Sequence, residues 1–297
     1  MKDKKLGILA MTAVCIFWGA AFLSIKVVGT TLGPVTFSFL RFSIAGIIFA
    51  FIYKVQCGGE KIAKEDYKKL VFNAIIGIPV YFTLQNIAIP MIPATDSSVI
   101  SAMQPIIMLI AEALFLSVAI TRKKAVAVAL CVVGAVITVG QISLGGSMLG
   151  YVLMLVATCL WVAYSILQQP LNKKYNAVTI NFYQFIVGAI IMSPAIFIEN
   201  NVWSEMTFMK WANVAYLGIF CSGVCFVLYN FAIERIGATI SSLFLNAGPI
   251  ITMVLSFFLL KEPILINQLI GAVLVISGVT LATVNFKKKK QKNDVAA

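Results

Sequence analysis

The sequence predicts an all-α integral membrane protein of ten transmembrane helices, arranged as two inverted-topology repeats of five helices. Of its 297 residues, 61% are hydrophobic and only 11% are charged, against about 25% charged residues in a typical soluble domain. Apolar runs of roughly the 20 residues that a helix needs to cross a bilayer recur along the chain. Cations concentrate in alternate connections, and the two halves of the sequence resemble each other. The chain has no room for a separate soluble domain.

Ten apolar segments account for most of the chain. They lie near residues 5–28, 34–53, 68–89, 94–118, 124–140, 148–169, 177–198, 211–233, 238–260 and 264–286. Most connections are only a few residues long, with longer ones near 54–67 and 199–210. The first segment is longer than the apolar core of a signal peptide and lacks a small-residue cleavage site, so we interpret it as an uncleaved span.

The cations predict the orientation of the protein, because cytoplasmic loops carry an excess of Lys and Arg. Those on the side of the N-terminus are Lys2, Lys4, Lys5, Lys54, Lys61, Lys64, Lys68, Lys69, Arg122, Lys123, Lys124, Lys173, Lys174, Arg235, Lys287, Lys288, Lys289, Lys290 and Lys292. The opposite loops hold only Lys210 and Lys261. We expect a multi-pass protein of the cytoplasmic membrane with both termini in the cytoplasm.

The net charge of +12 therefore follows from topology. The basic residues are scattered over several short loops, which argues against a nucleic-acid partner. The basic tail predicts contact with anionic lipid headgroups at the cytoplasmic face of the bilayer.

The halves of the chain align when one is shifted along the other. A shift of 143 places FWGAAFLSIKVV over LWVAYSILQQPL, so that Trp18 meets Trp161. The same shift places PVTFSFLRF over AVTINFYQF, with Arg41 over Gln184. A shift of 144 places NIAIPMIPATDSS over NFAIERIGATISS, and QPII over GPII. Because five spans is an odd number, the second copy enters the membrane from the opposite side, as in many secondary transporters. The predicted repeats are residues 1–143 and residues 144–297, the second with a basic cytoplasmic tail.

These segments also resemble a known family. The WG pair late in the first span, Arg41 in the second, and YNFAIERIGATISSLFLNAGPIITMVLSFFLLKEPILINQLIGAVLVISG in the second half are similar to the EamA-type branch of the drug/metabolite transporter superfamily. The strongest part is the series Pro249, Leu260, Glu262, Gly271 and Gly278. The resemblance implies a ten-helix carrier with a central cavity, often an exporter of amino acids or other small metabolites. It does not fix the substrate.

The first half departs from the family pattern. Where the pattern has Leu-x-Glu, this chain has Leu116, Ser117 and Val118. The structural role of that glutamate would then be filled once, by Glu262.

Four charged residues lie within the predicted spans: Lys26, Arg41, Asp96 and Glu112. A charge in the hydrocarbon region costs several kcal/mol, so we expect these side chains to avoid lipid. Lys26 either faces substrate or extends to the outer headgroups, and Asp96 either belongs to a gate or caps the fourth helix. Arg41 lies too deep to extend outward, so it is a candidate carboxylate clamp or a gate partner of Asp96. Glu112 is the favoured proton carrier, with a structural hydrogen bond as the alternative, because Asp96 is expected to be more solvated.

Polar and aromatic side chains recur at helical spacing on several spans. One such stripe would be ordinary hydrogen bonding between helices, but several together predict a wet central cavity. The predicted cavity residues are Trp18, Lys26, Arg41, Phe82, Gln85, Asn86, Ser101, Gln104, Trp161, Tyr164, Gln168, Gln184, Tyr229, Asn230 and Asn246. Mixed aromatic rings and amides suit a substrate that has an apolar body and a few hydrogen-bonding groups.

Two prolines occupy matching positions in the repeats, Pro105 and Pro249. Proline within a helix leaves the carbonyl four residues earlier unpaired, here at Ser101 and Leu245, and bends the axis. Matched breaks in two halves point to the binding site of a transporter, while a static kink is the alternative. With Asp96 and Glu112, these prolines form the predicted gating and coupling set.

The sequence therefore predicts a secondary transporter that moves a small metabolite, an amino acid or a related compound, by alternating access. Export is favoured by the resemblance, and protons are the candidate coupling ion. The rivals are a channel or a structural membrane protein and, least favoured, a membrane enzyme, since the chain has no histidine. The chain has no Walker A pattern, which argues against ATP-driven transport. No cofactor or metal is expected, the six cysteines having no CxxC spacing, and the protein is expected to be a monomer or a homodimer.

Overall fold

The computed structural model describes residues 2–115, 121–139, 147–236, 241 and 244–283. Within these ranges the structure is helical, with short turns and no β-strand. Seven helices are long and apolar enough to cross a membrane, and two shorter apolar helices follow at Gly248–Leu260 and Ile266–Leu281. The predicted all-α membrane architecture is confirmed at this level.

The main helices are labelled in chain order. They are α1 (Lys2–Val28), α2 (Pro34–Gln56), α3 (Lys64–Met91), α4 (Ala94–Ser101 and Gln104–Phe115), α5 (Arg122–Val139), α6 (Met148–Asn172), α7 (Ala177–Met192), α8 (Phe208–Tyr216, Leu217–Val224 and Cys225–Ile236 in one run), α9 (Gly248–Leu260) and α10 (Ile266–Thr283). Single helical turns at Ala195–Ile198 and Trp203–Glu205 lie between α7 and α8.

Large apolar side chains cover the outside of the bundle. Examples on different helices are Phe51, Val136, Ile190 and Phe258, each of which is exposed over more than 60% of its surface. A soluble monomer rarely exposes apolar surface on this scale. The exposed apolar surface is that of a multi-pass membrane protein, in which lipid covers these side chains.

Three helices contain π-helical turns. They lie at Ile76–Val80 in α3, at Leu217–Val224 in α8 and at Ser256–Leu260 in α9. Pro79 lies within the first of them and has no N–H to donate to a regular helical bond. The shift of 143 that aligns the halves carries residues 76–80 onto 219–223, inside the second π segment. Such wide turns occur often at functional sites.

The two matched prolines follow breaks of identical form. In α4 the break is at Ala102 and Met103, and the corresponding turn before α9 is at Asn246 and Ala247. The Met103 N–H donates to the Ile100 carbonyl, and the Ala247 N–H donates to the Phe244 carbonyl. Each proline then lies in the first turn of the helix that follows, where a missing N–H costs little. The sequence predicted bends here, and the structure has full breaks.

The helices pair across the two halves. Helix α1 packs on α8, α3 on α6, α2 on α7, α4 on α9 and α5 on α10. The repeat shift exchanges the first two pairs and maps each of the others onto itself. Such a pattern is expected when two similar units are related by an approximate twofold axis.

Carboxylates of one half bind the beginning of helices in the other. Glu199 accepts from the backbone N–H groups of Val35 (3.1 Å) and Thr36 (2.7 Å) at the start of α2. In the reverse direction, Glu60 of the first half accepts from the Asn176 N–H at the start of α7 in the second half (3.1 Å). The first N–H groups of a helix have no partner within it. The two halves thus supply each other with acceptors.

Glycines allow α5 and α10 to touch backbone to backbone. A Cβ atom added at Gly271 would lie 2.6 Å from the carbonyl oxygen of Gly134, and one added at Gly278 would lie 2.7 Å from that of Ala127. Small residues at such crossings allow close van der Waals packing, which drives helix association in membranes.

We expect Gly271→Leu to destabilise the protein, because the added side chain would force α5 and α10 apart. Overpacking of this kind costs about 1–3 kcal/mol, so Tm in detergent should fall. Val273→Leu on the same helix is the control, since Val273 is half-exposed on the outer face and its Tm should not change. An unchanged Tm for Gly271→Leu would contradict the backbone contact.

Candidate functional site

A cavity of about 310 Å³ lies between the two halves of the bundle. Its lining comes from α1, α2, α3, α4, α6, α8 and α9. The predicted residues that line it are Trp18, Arg41, Phe82, Gln85, Ser101, Gln104, Trp161, Tyr229 and Asn246, together with both helix-break prolines, Pro105 and Pro249. The structure therefore brings most of the predicted polar and aromatic set to one place.

Other predicted residues lie outside this lining. They are Lys26, Asn86, Asp96, Tyr164, Gln168, Gln184 and Asn230. The side chain of Glu112 lies outside the described residues, as does the basic tail. Asn86 joins two helices of the first half, because its amide donates to the Ser38 hydroxyl (2.8 Å) and to the Pro34 carbonyl (3.1 Å).

Tyr164 and Gln184 form a separate buried pair beside the cavity. The Tyr164 hydroxyl donates to Oε1 of Gln184 at 2.8 Å, and Gln168 lies next to both. The Tyr164 ring packs on Gly77 in the π turn of α3, where any Cβ would meet the ring at 2.1 Å. Gln184 is the repeat equivalent of Arg41, so equivalent positions have different environments.

Aromatic rings from both halves form two parts of the cavity wall. Trp18 packs edge-on against Phe226 with ring centroids 5.9 Å apart, and Trp161 packs edge-on against Phe82 at 6.3 Å. The two tryptophans are repeat equivalents, and a shift of 144 carries Phe82 onto Phe226. The walls are therefore built by the same positions of both halves.

The cavity also contains residues outside the predicted cavity set, among them Tyr81 and Phe226, although the sequence places Phe226 on the inward-facing stripe of the eighth predicted span. Tyr81 lines it and accepts a hydrogen bond from Gln85 at 2.7 Å, and Phe226 completes the wall beside Trp18. Two signals could have found them. Tyr81 precedes Gln85 by one helical turn on the same face, and Phe226 is the repeat equivalent of the selected Phe82.

Arg41 lies in the cavity wall and is 6% exposed. Its Nε donates to the hydroxyl of Ser222 at 2.8 Å, within the π turn of α8. Its guanidinium carbon lies 4.7 Å from the centre of the Phe82 ring and 5.4 Å from that of Phe42. Among the described residues no carboxylate forms an ion pair with Arg41, which leaves the alternative of Asp96 as its partner without support.

Two buried polar atoms of lining residues have no hydrogen-bond partner among the described residues. They are the hydroxyl of Ser101 and Nδ2 of Asn246. Each lies at one of the matched helix breaks, Ser101 just before the break in α4 and Asn246 within the turn before α9. A buried polar group without a partner costs free energy, so each break has an unmet hydrogen bond beside the cavity.

Lys26 is bound at the end of the bundle that is predicted to be extracellular. Its ammonium forms an ion pair with Glu262 and donates to the Ile92 carbonyl at 3.1 Å. Glu262 also accepts from the Ala94 N–H at 3.1 Å and thus caps α4. The sequence predicted a substrate contact or a headgroup contact for Lys26, and its partners within the protein are Glu262 and the Ile92 carbonyl. Glu262 lies 236 residues from Lys26 along the chain, so no local sequence pattern could indicate that the two form a pair.

Asp96 is buried, with 2% of its surface exposed, and the comparison with Glu112 stays open because the side chain of Glu112 lies outside the described residues. Its carboxylate accepts from the Tyr151 hydroxyl (2.5 Å) and from Nε2 of Gln268 (2.8 Å). Oε1 of Gln268 accepts the Leu265 N–H, which directs Nε2 toward Asp96. The cap predicted for Asp96 is wrong, because Asp96 lies within the first turn and makes no capping bond.

A double-mutant cycle tests the bond between Lys26 and Glu262. We expect Lys26→Ala and Glu262→Ala each to lower Tm, with the larger effect for Glu262→Ala because it also removes the cap of α4. The double variant should lose less stability than the sum of the two single variants, and the difference gives a coupling free energy of about 0.5–3 kcal/mol. The exposed pair Lys174–Glu65 is the control and should show almost no coupling. Additive losses at Lys26 and Glu262 would contradict the pair.

Comparison with known proteins points to one family. A model described as the EamA-like transporter family matches the chain twice, over residues 5–140 and 148–284. A protein named "uncharacterized transporter" from Archaeoglobus fulgidus is 29% identical over 279 residues, which cover 93% of this chain and 97% of the relative. The "uncharacterized transporter YyaM" of Bacillus subtilis is 25% identical, with 90% of each chain covered.

A more distant relative has a more specific name. The "probable terminal-alkyne amino-acid exporter" of Streptantibioticus cattleyicolor is 24% identical, with 92% of this chain and 91% of the relative covered. A crystal structure of a protein superposes with a TM-score of 0.69 over 94% of this chain and 98% of that chain, at 16% identity. At that identity the likeness shows a shared fold alone.

Proposed function

Because the chain belongs to the EamA-like transporter family, we propose that it moves a small metabolite, an amino acid or a related compound, across the cytoplasmic membrane by alternating access. The family and the relatives are transporters and not enzymes. The observation that carries the finer proposal is the cavity between the two halves, which is lined by equivalent positions of both and has free polar groups at both helix breaks.

The proposed architecture is ten spans in two inverted five-helix repeats, residues 1–143 and 144–297, with both termini in the cytoplasm. The cross-half pairing of helices and the equivalent π turns of α3 and α8 support it. The distribution of cations supports the orientation. The protein works as a monomer or a homodimer, against anionic headgroups at its cytoplasmic face.

The matched breaks in α4 and before α9 support alternating access. Each break lies on the cavity wall next to a side chain without a hydrogen-bond partner. At a break, the two helical segments can change their relative direction without breaking the hydrogen bonds within either segment. Such breaks at corresponding positions of two repeats are typical of transporter sites. Export is the direction we propose, on the resemblance to an exporter.

Counterflow in liposomes tests the transport function. Purified protein in liposomes loaded with unlabelled amino acids and organic acids should take up the labelled form of its substrate faster than unloaded liposomes do. The rate should saturate with concentration, because a carrier binds one substrate per cycle. Protein-free liposomes are the control. A flux that stays linear with concentration and shows no stimulation from inside would indicate a channel and contradict the proposal.

Two carboxyl groups are candidate sites for a coupled proton, Glu112 and Asp96. The geometry supports Asp96, since it is buried and its direct partners are the neutral side chains of Tyr151 and Gln268. The nearby charges are Glu262 and Lys26, which compensate each other in their ion pair. No cation is therefore in direct contact with Asp96 to stabilise its ionised form, so the carboxyl group can take up a proton without breaking an ion pair.

We expect Asp96→Asn to abolish substrate accumulation driven by a pH gradient and to retain exchange, because asparagine has the shape of the protonated acid and exchange moves no net proton. Proton flux in liposomes is the measurement. Glu112→Gln is the comparison and should keep both activities if Asp96 carries the proton. Loss of coupling in Glu112→Gln with full coupling in Asp96→Asn would place the proton at Glu112 instead.

A further inference from the structure

The charge on the cavity wall is one-sided. Arg41 is the charged residue of the described lining, which contains no Asp or Glu. The guanidinium is almost fully buried and forms no ion pair among the described residues. An isolated buried cation is costly, and that cost falls when an anion binds beside it. The wall is thus built to receive negative charge.

The contacts of Arg41 leave part of its hydrogen-bonding capacity free. Within the described residues only Nε has a hydrogen-bond partner, the hydroxyl of Ser222, and the guanidinium carbon lies over the Phe82 ring. These contacts fix the plane of the guanidinium group and leave its two terminal nitrogens without a hydrogen-bond partner among the described residues. A guanidinium edge and a carboxylate match in a two-bond geometry that lysine cannot reproduce.

The remaining free polar atoms favour a ligand that accepts hydrogen bonds. Nδ2 of Asn246 can only donate, and it has no partner among the described residues, like the hydroxyl of Ser101. Most of the remaining lining is apolar, with aromatic rings that include Trp18 and Trp161. A ligand with an apolar body against these rings and an anionic group at Arg41 would match the chemistry of the cavity wall.

From these contacts we propose that the cavity binds organic monocarboxylates with an apolar body, and that a positive charge on the ligand weakens binding. A ligand ammonium would meet the charge of Arg41 and no carboxylate of the wall. The inference deepens the proposed transport function and rests on it: it narrows the metabolite to carboxylate-bearing compounds, in which an amino group is not required.

Ligands with one body and different charges test this class. The probes are 3-phenylpropanoate, phenylalanine, 3-phenylpropanamide and 2-phenylethylamine, with butanoate and octanoate to vary size. Thermal stabilisation of the purified full-length protein gives the apparent Kd of each. We expect the tightest binding among the carboxylates, weaker binding of phenylalanine and of the amide, and no stabilisation by the amine. The class is wrong if the amine binds as tightly as 3-phenylpropanoate, or if none of the carboxylates stabilises the protein.

Variants of Arg41 assign the carboxylate to that residue. Arg41→Gln should weaken binding of the best carboxylate at least about tenfold, as expected for loss of a charged two-bond contact, and Arg41→Lys should restore only part of it. The matched control is Arg122→Gln, because Arg122 is exposed at the start of α5 and its loss should leave Kd unchanged. Unchanged binding in Arg41→Gln would overturn the assignment. If Arg41→Gln does not fold, Arg41→Lys and the wild-type ligand series still decide the question.

Counterflow separates this inference from the function on which it rests. Carboxylate binding without counterflow would leave the ligand class standing and contradict the transport function. Counterflow of amines, in a protein that no carboxylate stabilises, would support the transport function and contradict the proposed ligand class.

Discussion

The cost of holding charge away from water determines how the interior of this protein is arranged. Lys26 is compensated by Glu262, and Asp96 is held by two neutral donors. Arg41 has a hydroxyl and an aromatic face but no anion among the described residues. The first two groups have their partners within the protein and lie outside the cavity lining. Arg41 is left without an anion, and it alone of the three lines the cavity. The location of the uncompensated charge therefore distinguishes the substrate cavity from the rest of the interior, including the proposed proton site at Asp96.

A duplicated scaffold provides the site, and divergence of equivalent positions gives it its chemistry. Trp18 and Trp161 have kept the same role in the cavity wall, and Pro105 and Pro249 follow the same kind of break. The pair Arg41 and Gln184 has diverged: one is a cation in the wall, and the other is a neutral amide bound by Tyr164. If both positions carried a cation, two buried charges of equal sign would share the bundle. A single charged copy avoids that repulsion and makes the cavity polar on one side.

The sequence predicted those parts of the site that follow from periodicity and repetition. Residues spaced by a helical turn, such as Phe82 and Gln85, share a face, and the repeat shift relates the two aromatic groups of the wall. The first signal is local, and the second depends on an alignment of the chain with itself. The partners of Lys26 and Asp96 could not be predicted in this way. Glu262 and Gln268 lie far along the chain, and their contacts depend on how α9 and α10 pack against the first half. The breaks at the prolines were underestimated for a similar reason, since the turn before each proline depends on backbone bonds that residue type does not specify.

The two halves are also incomplete without each other at the level of the backbone. The first turn of a helix carries N–H groups that need acceptors from outside the helix, and water can supply them only where it reaches. In this bundle Glu199 and Glu262, from the second half, serve α2 and α4, while Glu60, from the first half, serves α7. A half separated from the other would lose these acceptors as well as its packing. It follows that the fold depends on both halves together, although each has the sequence of a complete unit. Because these contacts are charge-assisted hydrogen bonds at helix ends, one or two for each carboxylate, water can replace them one at a time, whereas the glycine-lined crossing of α5 and α10 has no such substitute.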